Sequence, residues 1–499
     1  MEKLNELKSI LHEVHDLNMA QNLLGWDQST NMPVGGALDR SYQMGTLAKL
    51  AHEKFTADEV GGLLDGAGKE VASLDITSDD FCLVKVAKKH YDRERKVPPQ
   101  WIEKFVQVTA NAQSVWEKAK EDSDFALFQP HLSEIVELRK EYAEYFKPFD
   151  HVYDALLDDF EPGLKTVEVQ SIFNAIRPHQ VALIEAIQAA EPVRDDFLYF
   201  NYPKDGQWQF GMNVIKKLGF NFERGRQDVS VHPFTTSFGW GDIRITTRID
   251  ENYLPTALFG SIHESGHAMY EQNISQSLRR TLLCDGASMA IHESQSRLWE
   301  NLVGRSYAFW KHFYPDLVKI FPTQLGNIDL DTFYRGINYV KPGMIRVEAD
   351  EATYNLHIML RMELEIALLE GKLSVKDLPQ IWNEKMQSYL GITPANDAEG
   401  VLQDVHWSGG MMGYFPTYAL GNIVGSQIWE KVNEDIPTLD DQLEKGEFRP
   451  LLTWLSDKVY QHGSKFEPKD IIKMVTGESI QPGPYIKYLE TKYKEIYKL

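Results

Sequence analysis

The sequence predicts a mainly α protein, a large multi-helix single domain over residues 1–499 with one small antiparallel β-sheet near its middle. Three observations carry that prediction. Apolar residues recur at three- and four-residue steps along most of the chain, the signature of helices with one buried face. A single stretch before residue 250 alternates polar and apolar residues instead. No Gly/Ser/Pro-rich linker, internal repeat or low-complexity tract divides the 499 residues. One unit, bilobal around a cleft, is therefore favoured over a string of domains.

The first helix is marked by Leu4, Leu7, Ile10, Leu11, Val14, Leu17 and Met19. The same spacing returns near 37–54, 79–92, 100–120, 130–146, 165–190, 253–273 and 287–312. It continues through 328–339, 346–370, 376–389, 411–432 and 448–461. Between these runs stand Pro98-Pro99, Glu161-Pro162-Gly163, Pro322, Pro342-Gly343 and Gly391, residues that end helices or open turns. The exception runs from Asp242 to Ile249, where β-branched residues alternate with Arg and Thr. Val231 to Phe238 can pair with it across Gly239-Trp240-Gly241 as a hairpin.

Composition narrows the class. Apolar residues make up 43% and charged residues 25%, ordinary globular usage that argues against disorder. The balance of 52 basic and 73 acidic residues gives 52 − 73 = −21. So acidic a chain is repelled by nucleic acid and by anionic membranes, which excludes both as main partners. Two cysteines, Cys82 and Cys284, support neither a disulfide framework nor a Cys-rich zinc site and fit a reducing cytoplasm. The N-terminus lacks the apolar core of a signal peptide, and no apolar run reaches the length of a membrane span.

The chemistry concentrates directly after the alternating stretch. His263-Glu264-Ser265-Gly266-His267 is an H-E-x-x-H motif on an expected helix. The i, i+4 spacing puts both imidazoles on one face, where they can bind a single metal ion, with Glu264 placed to take a proton from water. Gly266 costs roughly 1 kcal/mol in a helix and so points to close packing. A catalytic zinc takes three protein ligands. The downstream candidates are Glu271, Glu293 and Glu300. Glu271 is on the same helix and reaches the metal only if that helix bends. Glu293 follows His267 by 26 residues, enough for an antiparallel return. It is the expected third ligand and Glu300 the runner-up, while His292 is expected to pack or to support a ligand.

At these residues the chain resembles the carboxypeptidase Taq family of zinc metallocarboxypeptidases. His232-Pro233-Phe234 matches its H-P-F element and Asp242-x-Arg244-x-Thr246 its D-x-R-x-T. The zinc motif follows, then His292-Glu293-Ser294-Gln295 as H-E-S-Q, which supplies the third ligand in the family. Ile345-Arg346-Val347-Glu348-Ala349-Asp350 matches I-R-x-x-A-D, and Gly400 to Trp407 matches G-x-x-Q-D-x-H-W. Trp26 to Pro33 and Gly413 to Tyr418 are also similar to the family. The resemblance implies a helical fold with a long deep groove, similar to neurolysin, a homodimer, a cytoplasmic location and one Zn²⁺ per chain. His₂Glu also accepts Co²⁺ or Mn²⁺.

The implied activity is hydrolysis of C-terminal residues from peptides with a free C-terminus, Glu264 acting as general base. His406, Tyr414 and Tyr418 are candidates to stabilise the oxyanion, by analogy with related helical metallopeptidases. Arg346 and then Arg244 are the candidates for gripping the substrate carboxylate, since Arg does so in bidentate fashion. Their structural alternatives are ion pairs, Arg346 with Asp350 and Arg244 with a neighbouring acid. His232 is assigned to the substrate backbone on familial grounds, and Gln403 to the substrate or, with Asp404 and Trp407, to orienting His406. The strand of Thr246 is a candidate to hold the peptide extended, and Trp26 to Pro33 is expected to pack near the groove wall. The acidic charge predicts steering of cationic peptides. Two rivals stand beside this reading: an endo-acting zinc oligopeptidase with the same centre, and a non-catalytic helical metal-binding scaffold, against which an intact Glu264 argues.

Overall fold

The N-terminal periodicity forms α1 (Glu2–Thr30), which buries Leu4, Leu7, Leu11 and Val14. It packs with α2 (Ala37–Thr56) and α3 (Asp58–Val71), and α3 with α4 (Asp79–Lys96), in a computed structural model that describes residues 1–499. The periodic pattern omits α3 because Gly61, Gly62, Gly66 and Gly68 interrupt it. A Cβ on Gly61 would stand 2.6 Å from the Tyr91 hydroxyl, so this glycine lets α3 lie against α4. Then follow α5 (Pro99–Asp122), α6 (Phe125–Glu144), α7 (Val152–Leu157), α8 (Thr166–Ala189) and α9 (Lys204–Leu218).

The sheet has three strands, β1 (Gln227–Val229), β2 (Thr235–Ser237) and β3 (Ile243–Thr247), in the order β1-β3-β2. The expected hairpin is there: β2 runs antiparallel to β3 with Thr235 opposite Ile245. The sheet is nonetheless mixed, because β1 lies parallel on the other edge of β3 with Gln227 opposite Ile245. Three residues, Gln-Asp-Val, are too few to show an alternation, which is why the sequence reading misses β1. The consequence reaches function. As the central strand, β3 has both edges taken, and its Thr246 hydroxyl ties Ser230 Oγ (2.7 Å) to the Phe234 N–H (2.9 Å) inside the sheet. Thr246 therefore cannot hold a peptide by edge pairing; the outer edges belong to β1 and β2, and on β2 the Ser237 carbonyl accepts from the Asn22 amide of α1 at 3.1 Å.

After the sheet come α10 (Pro255–Gln272) and α11 (Met289–Arg297). The run 287–312, expected as one helix, breaks into α11, a π-helical turn Leu298–Val303 and α12 (Tyr307–Ile320). The Gly304 N–H reaches back five residues to the Trp299 carbonyl (2.8 Å), the wide bond of a π turn. Next are α13 (Pro322–Leu325), α14 (Leu330–Ile337), α15 (Glu351–Leu369), α16 (Leu378–Leu390) and α17 (Pro416–Asp435). α15 begins at 351, not 346, because Asp350 caps it, accepting from the Ala352 and Thr353 N–H groups at 3.0 Å each. The chain ends with α18 (Leu439–Glu444), α19 (Arg449–Lys458), α20 (Pro468–Thr476) and α21 (Gly483–Tyr497). No helix is long and apolar enough to cross a membrane.

Buried apolar side chains form two main clusters, of 67 and 51 residues. Three helices contribute to both: α11 through Ala290 and Ile291, α14 through Tyr334 on one side and Phe333 and Ile337 on the other, and α17 through Leu420 and Ile423 on one side and Val424 and Ile428 on the other. α11 is clamped between α10 and α17 by glycines. A Cβ on Gly266 would meet the Ser296 backbone at 2.7 Å, and one on Gly421 would meet Glu293 Cγ at 2.5 Å. The helix cost of Gly266 thus secures close packing against the helix that bears Glu293. A cleft of about 880 Å³ is lined by α1, α2, α4, α5, Tyr142 of α6, Asp159, β2, Glu271 of α10 and the segment 281–285.

Candidate metal centre and active site

His263 and His267, one turn apart on α10, turn their Nε2 atoms toward one carboxylate oxygen of α11. Glu293 Oε2 lies 3.7 Å from His263 Nε2 and 3.5 Å from His267 Nε2. Four ligands held tetrahedrally at about 2.1 Å from an ion stand roughly 3.4 Å apart. The three atoms therefore fit a single divalent cation, and a His₂Glu donor set is one of the three-ligand sets that leave a coordination position open. The clamp of Gly266 and Gly421 is what brings α11 this near.

Each remaining nitrogen and oxygen of this triad is held from behind. His263 Nδ1 donates to Glu300 Oε2 at 2.8 Å, and Glu300 is itself held by Arg297 (3.1 Å) and Arg305 (3.5 Å). Glu300, the runner-up ligand, is thus behind His263 and not among the three converging atoms. His267 Nδ1 lies 2.7 Å from His292 Nδ1, and His292 Nε2 lies 3.3 Å from Glu271 Oε1. Arg297 Nε donates to Glu293 Oε1 at 2.7 Å. Burial pushes the Glu293 carboxyl up, but Arg297 and the two histidines outweigh it and hold it well below the usual range. The same contest leaves Glu300 at about 2, while burial drives His267 down to about 3. At neutral pH the centre is therefore set with both carboxylates charged and the His267 ring neutral.

Glu264 is buried, and Oε2 accepts from Thr235 Oγ1 at 2.7 Å. Burial raises its pKa, with His263 and Thr235 opposing. A carboxylate lifted toward neutrality is suited to taking up and returning a proton. Because Thr235 lies on β2, an outer sheet edge and the general-base candidate are mechanically joined.

The facing wall comes from the loop before α17. Gly413, at φ +95° and with a would-be Cβ only 2.6 Å from the Leu156 backbone, permits the turn that delivers Tyr414. His406 stacks on Tyr414 with centroids 5.5 Å apart, and its Nε2 lies 3.3 Å from the Tyr418 hydroxyl. Burial lowers His406 to about 4 despite Asp404, so the ring is neutral; burial raises both tyrosines, which keep their protons. Three expected residues thus come together as a group of neutral donors.

Behind them lies a buried ion cluster. Arg346 donates through Nε (2.9 Å) and Nη2 (2.8 Å) to Asp404 Oδ1 and through Nη1 to the Tyr354 hydroxyl (3.0 Å). Arg361 donates to the other oxygen, Oδ2, at 2.6 Å. The pairing of Arg346 with Asp350 does not occur, because Asp350 is occupied in capping α15. Gln403 is corrected as a substrate contact: its amide accepts from the Arg346 N–H (2.8 Å) and donates to the Met344 and Glu399 carbonyls (3.1 and 2.9 Å), clipping two loops together. Arg244 pairs with its neighbour Asp242 at 2.8–2.9 Å and lies over the buried Trp26 ring at 4.4 Å, while Gln28, Ser29, Asn31 and Pro33 of the same segment are exposed. His232 stands exposed beside the sheet.

Sequence reasoning missed Arg297, Thr235, Tyr354, Arg361 and Glu365. Arg297 alone had a local signal, lying four residues after Glu293 on the same helical face. Glu365 is fully buried on α15 and accepts from the Tyr153 hydroxyl (2.6 Å), the Trp407 indole (2.8 Å) and the Gly413 N–H (3.1 Å). It thereby anchors both ends of the loop that carries His406 and Tyr414. Nothing in the spacing of Glu365 announces that.

Comparison with known proteins gives the family. Residues 6–493 match the family described as carboxypeptidase Taq (M32) metallopeptidase. The chain is 43% identical to carboxypeptidase 1 of Bacillus subtilis over 495 residues, 99% of this chain and 98% of that one. It is 39% identical to thermostable carboxypeptidase 1 of Thermus thermophilus, covering 95% of each. Its fold superposes on the crystal structure of the M32 carboxypeptidase from Deinococcus radiodurans with a TM-score of 0.98, 37% identity and complete coverage of both chains. The chain belongs to the carboxypeptidase Taq (M32) family of metallopeptidases and is a metal-dependent carboxypeptidase.

Proposed function

We propose that the enzyme is a zinc carboxypeptidase that removes residues from the C-terminus of peptides, with His263, His267 and Glu293 as ligands and Glu264 as general base. The convergence of two Nε2 atoms and one carboxylate oxygen, with Glu264 on the same helix, carries this reading. A divalent ion held by His263, His267 and Glu293 would supply a Lewis acid for the scissile carbonyl and lower the pKa of water toward neutrality. Glu264 takes the proton of the attacking water on the oxygen that Thr235 leaves free and returns it to the leaving amine. Tyr414, Tyr418 and neutral His406 offer hydrogen bonds to the developing oxyanion.

Recognition of the C-terminal carboxylate is assigned first to the Arg346 cluster. Two guanidinium groups against the single carboxylate of Asp404 leave one positive charge beside His406. Arg244, already paired with Asp242, is the second choice, and His232 binds substrate backbone on the family resemblance. The outer edge of β2 lies along the cleft and suits an extended peptide. Free Cys82 and Cys284 are in keeping with a cytoplasmic enzyme, and the family resemblance with a homodimer. Mass spectrometry of a peptide digest tests the activity: single residues lost in order from the C-terminus, abolished by chelator and restored by zinc. Internal fragments would establish the endo-acting rival, and an amidated peptide cut as fast as the free acid would remove the carboxylate clamp.

A further inference from the structure

The two ligand histidines are backed differently. His263 donates straight to a carboxylate, whereas His267 meets a second imidazole. We infer that His292 and Glu271 form a two-step relay that fixes the ring of His267 and sets metal affinity, making both positioning residues for the centre. The inference rests on the reading of His263, His267 and Glu293 as ligands.

Proton bookkeeping determines the relay. A cation on His267 Nε2 uses that nitrogen's lone pair, so the ring proton must sit on Nδ1. At 2.7 Å from that nitrogen stands His292 Nδ1, which must therefore accept. The proton of His292 is then on Nε2, 3.3 Å from Glu271 Oε1, which takes it. The chain ends on a carboxylate, as a ligand histidine's backing usually does, but reaches it through one additional ring.

The surroundings are shaped to hold that ring. Tyr270 packs on one side of His292 with centroids 5.1 Å apart. Gly286 lies on another, where a Cβ would stand 2.5 Å from His292 Cδ2. The Tyr270 hydroxyl accepts from the Ala287 N–H at 3.1 Å and fixes the loop carrying Gly286. His292 has only these few ångströms of room, so it cannot swing away from His267. Glu271 is four residues beyond His267 on α10, which places the carboxylate one turn past the ligand, just where an intervening ring from α11 spans the gap. Glu271, which could ligate the metal directly only if α10 bent, thus acts on it through its neighbour.

The test is zinc affinity of metal-stripped protein, measured by competition with a chromophoric chelator, beside the melting temperature of the zinc-free form. His292→Ala is expected to weaken zinc binding ten- to a hundredfold. His292→Asn, which puts an amide oxygen near the position of Nδ1, should recover most of that loss. Glu271→Gln keeps shape and removes charge; it should weaken binding severalfold with zinc-free melting unchanged, a split a merely structural role would not produce. Wild-type affinity in folded His292→Ala, or in Glu271→Gln should the alanine variant not fold, overturns the relay. Wild-type protein that binds no zinc overturns the metal centre itself, a separate failure.

Discussion

The two walls of the active site are built on different plans. The metal wall comes from α10 and α11, and its working residues lie within two short motifs whose spacing is set by the helix. The facing wall of His406, Tyr414 and Tyr418 comes from a loop and the start of α17. It is held from behind by Arg346, Arg361 and Glu365, which pair with the loop across long stretches of chain, Arg346 with Asp404 over 58 residues. One wall is positioned by helical repeat and glycine-clamped packing; the other by buried ion pairs and hydrogen bonds over long sequence separations. Arg297 and Tyr354 connect them, since the Arg297 guanidinium lies 4.7 Å from the Tyr354 ring and the Tyr354 hydroxyl accepts from Arg346.

That difference can be broken at several points. The largest effect is expected from Glu264→Gln, which should lower kcat by about 10²–10⁴-fold at unchanged metal content, since general base catalysis is worth that much. Retained activity with metal bound would remove Glu264 from the mechanism. Tyr414→Phe and Tyr418→Phe, made separately, test the facing wall. At least one should lower kcat by about 10²–10³-fold with metal affinity intact, the usual cost of a lost oxyanion donor. Full activity in both would empty that wall of its role.

Gly421→Ala strikes the metal wall from outside. Its new Cβ would press on Glu293 Cγ, so zinc affinity should fall and stability drop by about 1–3 kcal/mol, the range for overpacking. Equilibrium denaturation and metal competition on the same protein check both halves. The smallest effect is the pH dependence of Glu365. Burial lifts this carboxyl from 4.5 to about 7, against the donors that hold it. The folded state keeps its proton where the unfolded chain has lost it. The stability it contributes is complete below pH 4.5 and is lost as pH rises through about 7. Melting temperature between pH 5 and 8 should fall less steeply in Glu365→Gln; an identical slope would rule out this titration.

Legibility followed the same division. The helices with strong apolar periodicity, the hairpin of β2 and β3 and the shared helical face of His263 and His267 were readable because local spacing places those side chains, whereas Glu293 converges on the two histidines through the packing of α11. α3 escaped because glycines replace its apolar residues, and β1 because three residues hold no period. Gln403 reads from sequence as a substrate contact because a free polar group invites that role, whereas in the fold its amide is spent on two loops.

By itself the sequence determined the helical class, the acidic charge, the helix of the H-E-x-x-H motif and the family motifs, all of which depend on residues close together in the chain. Only tertiary structure decided that β3 is central, that Glu300 backs His263, that His292 and Glu271 back His267, and that Glu365 anchors the facing loop. The physical reason is the same in each case: a buried polar group must find a partner wherever packing supplies one, and that partner has no fixed distance in sequence.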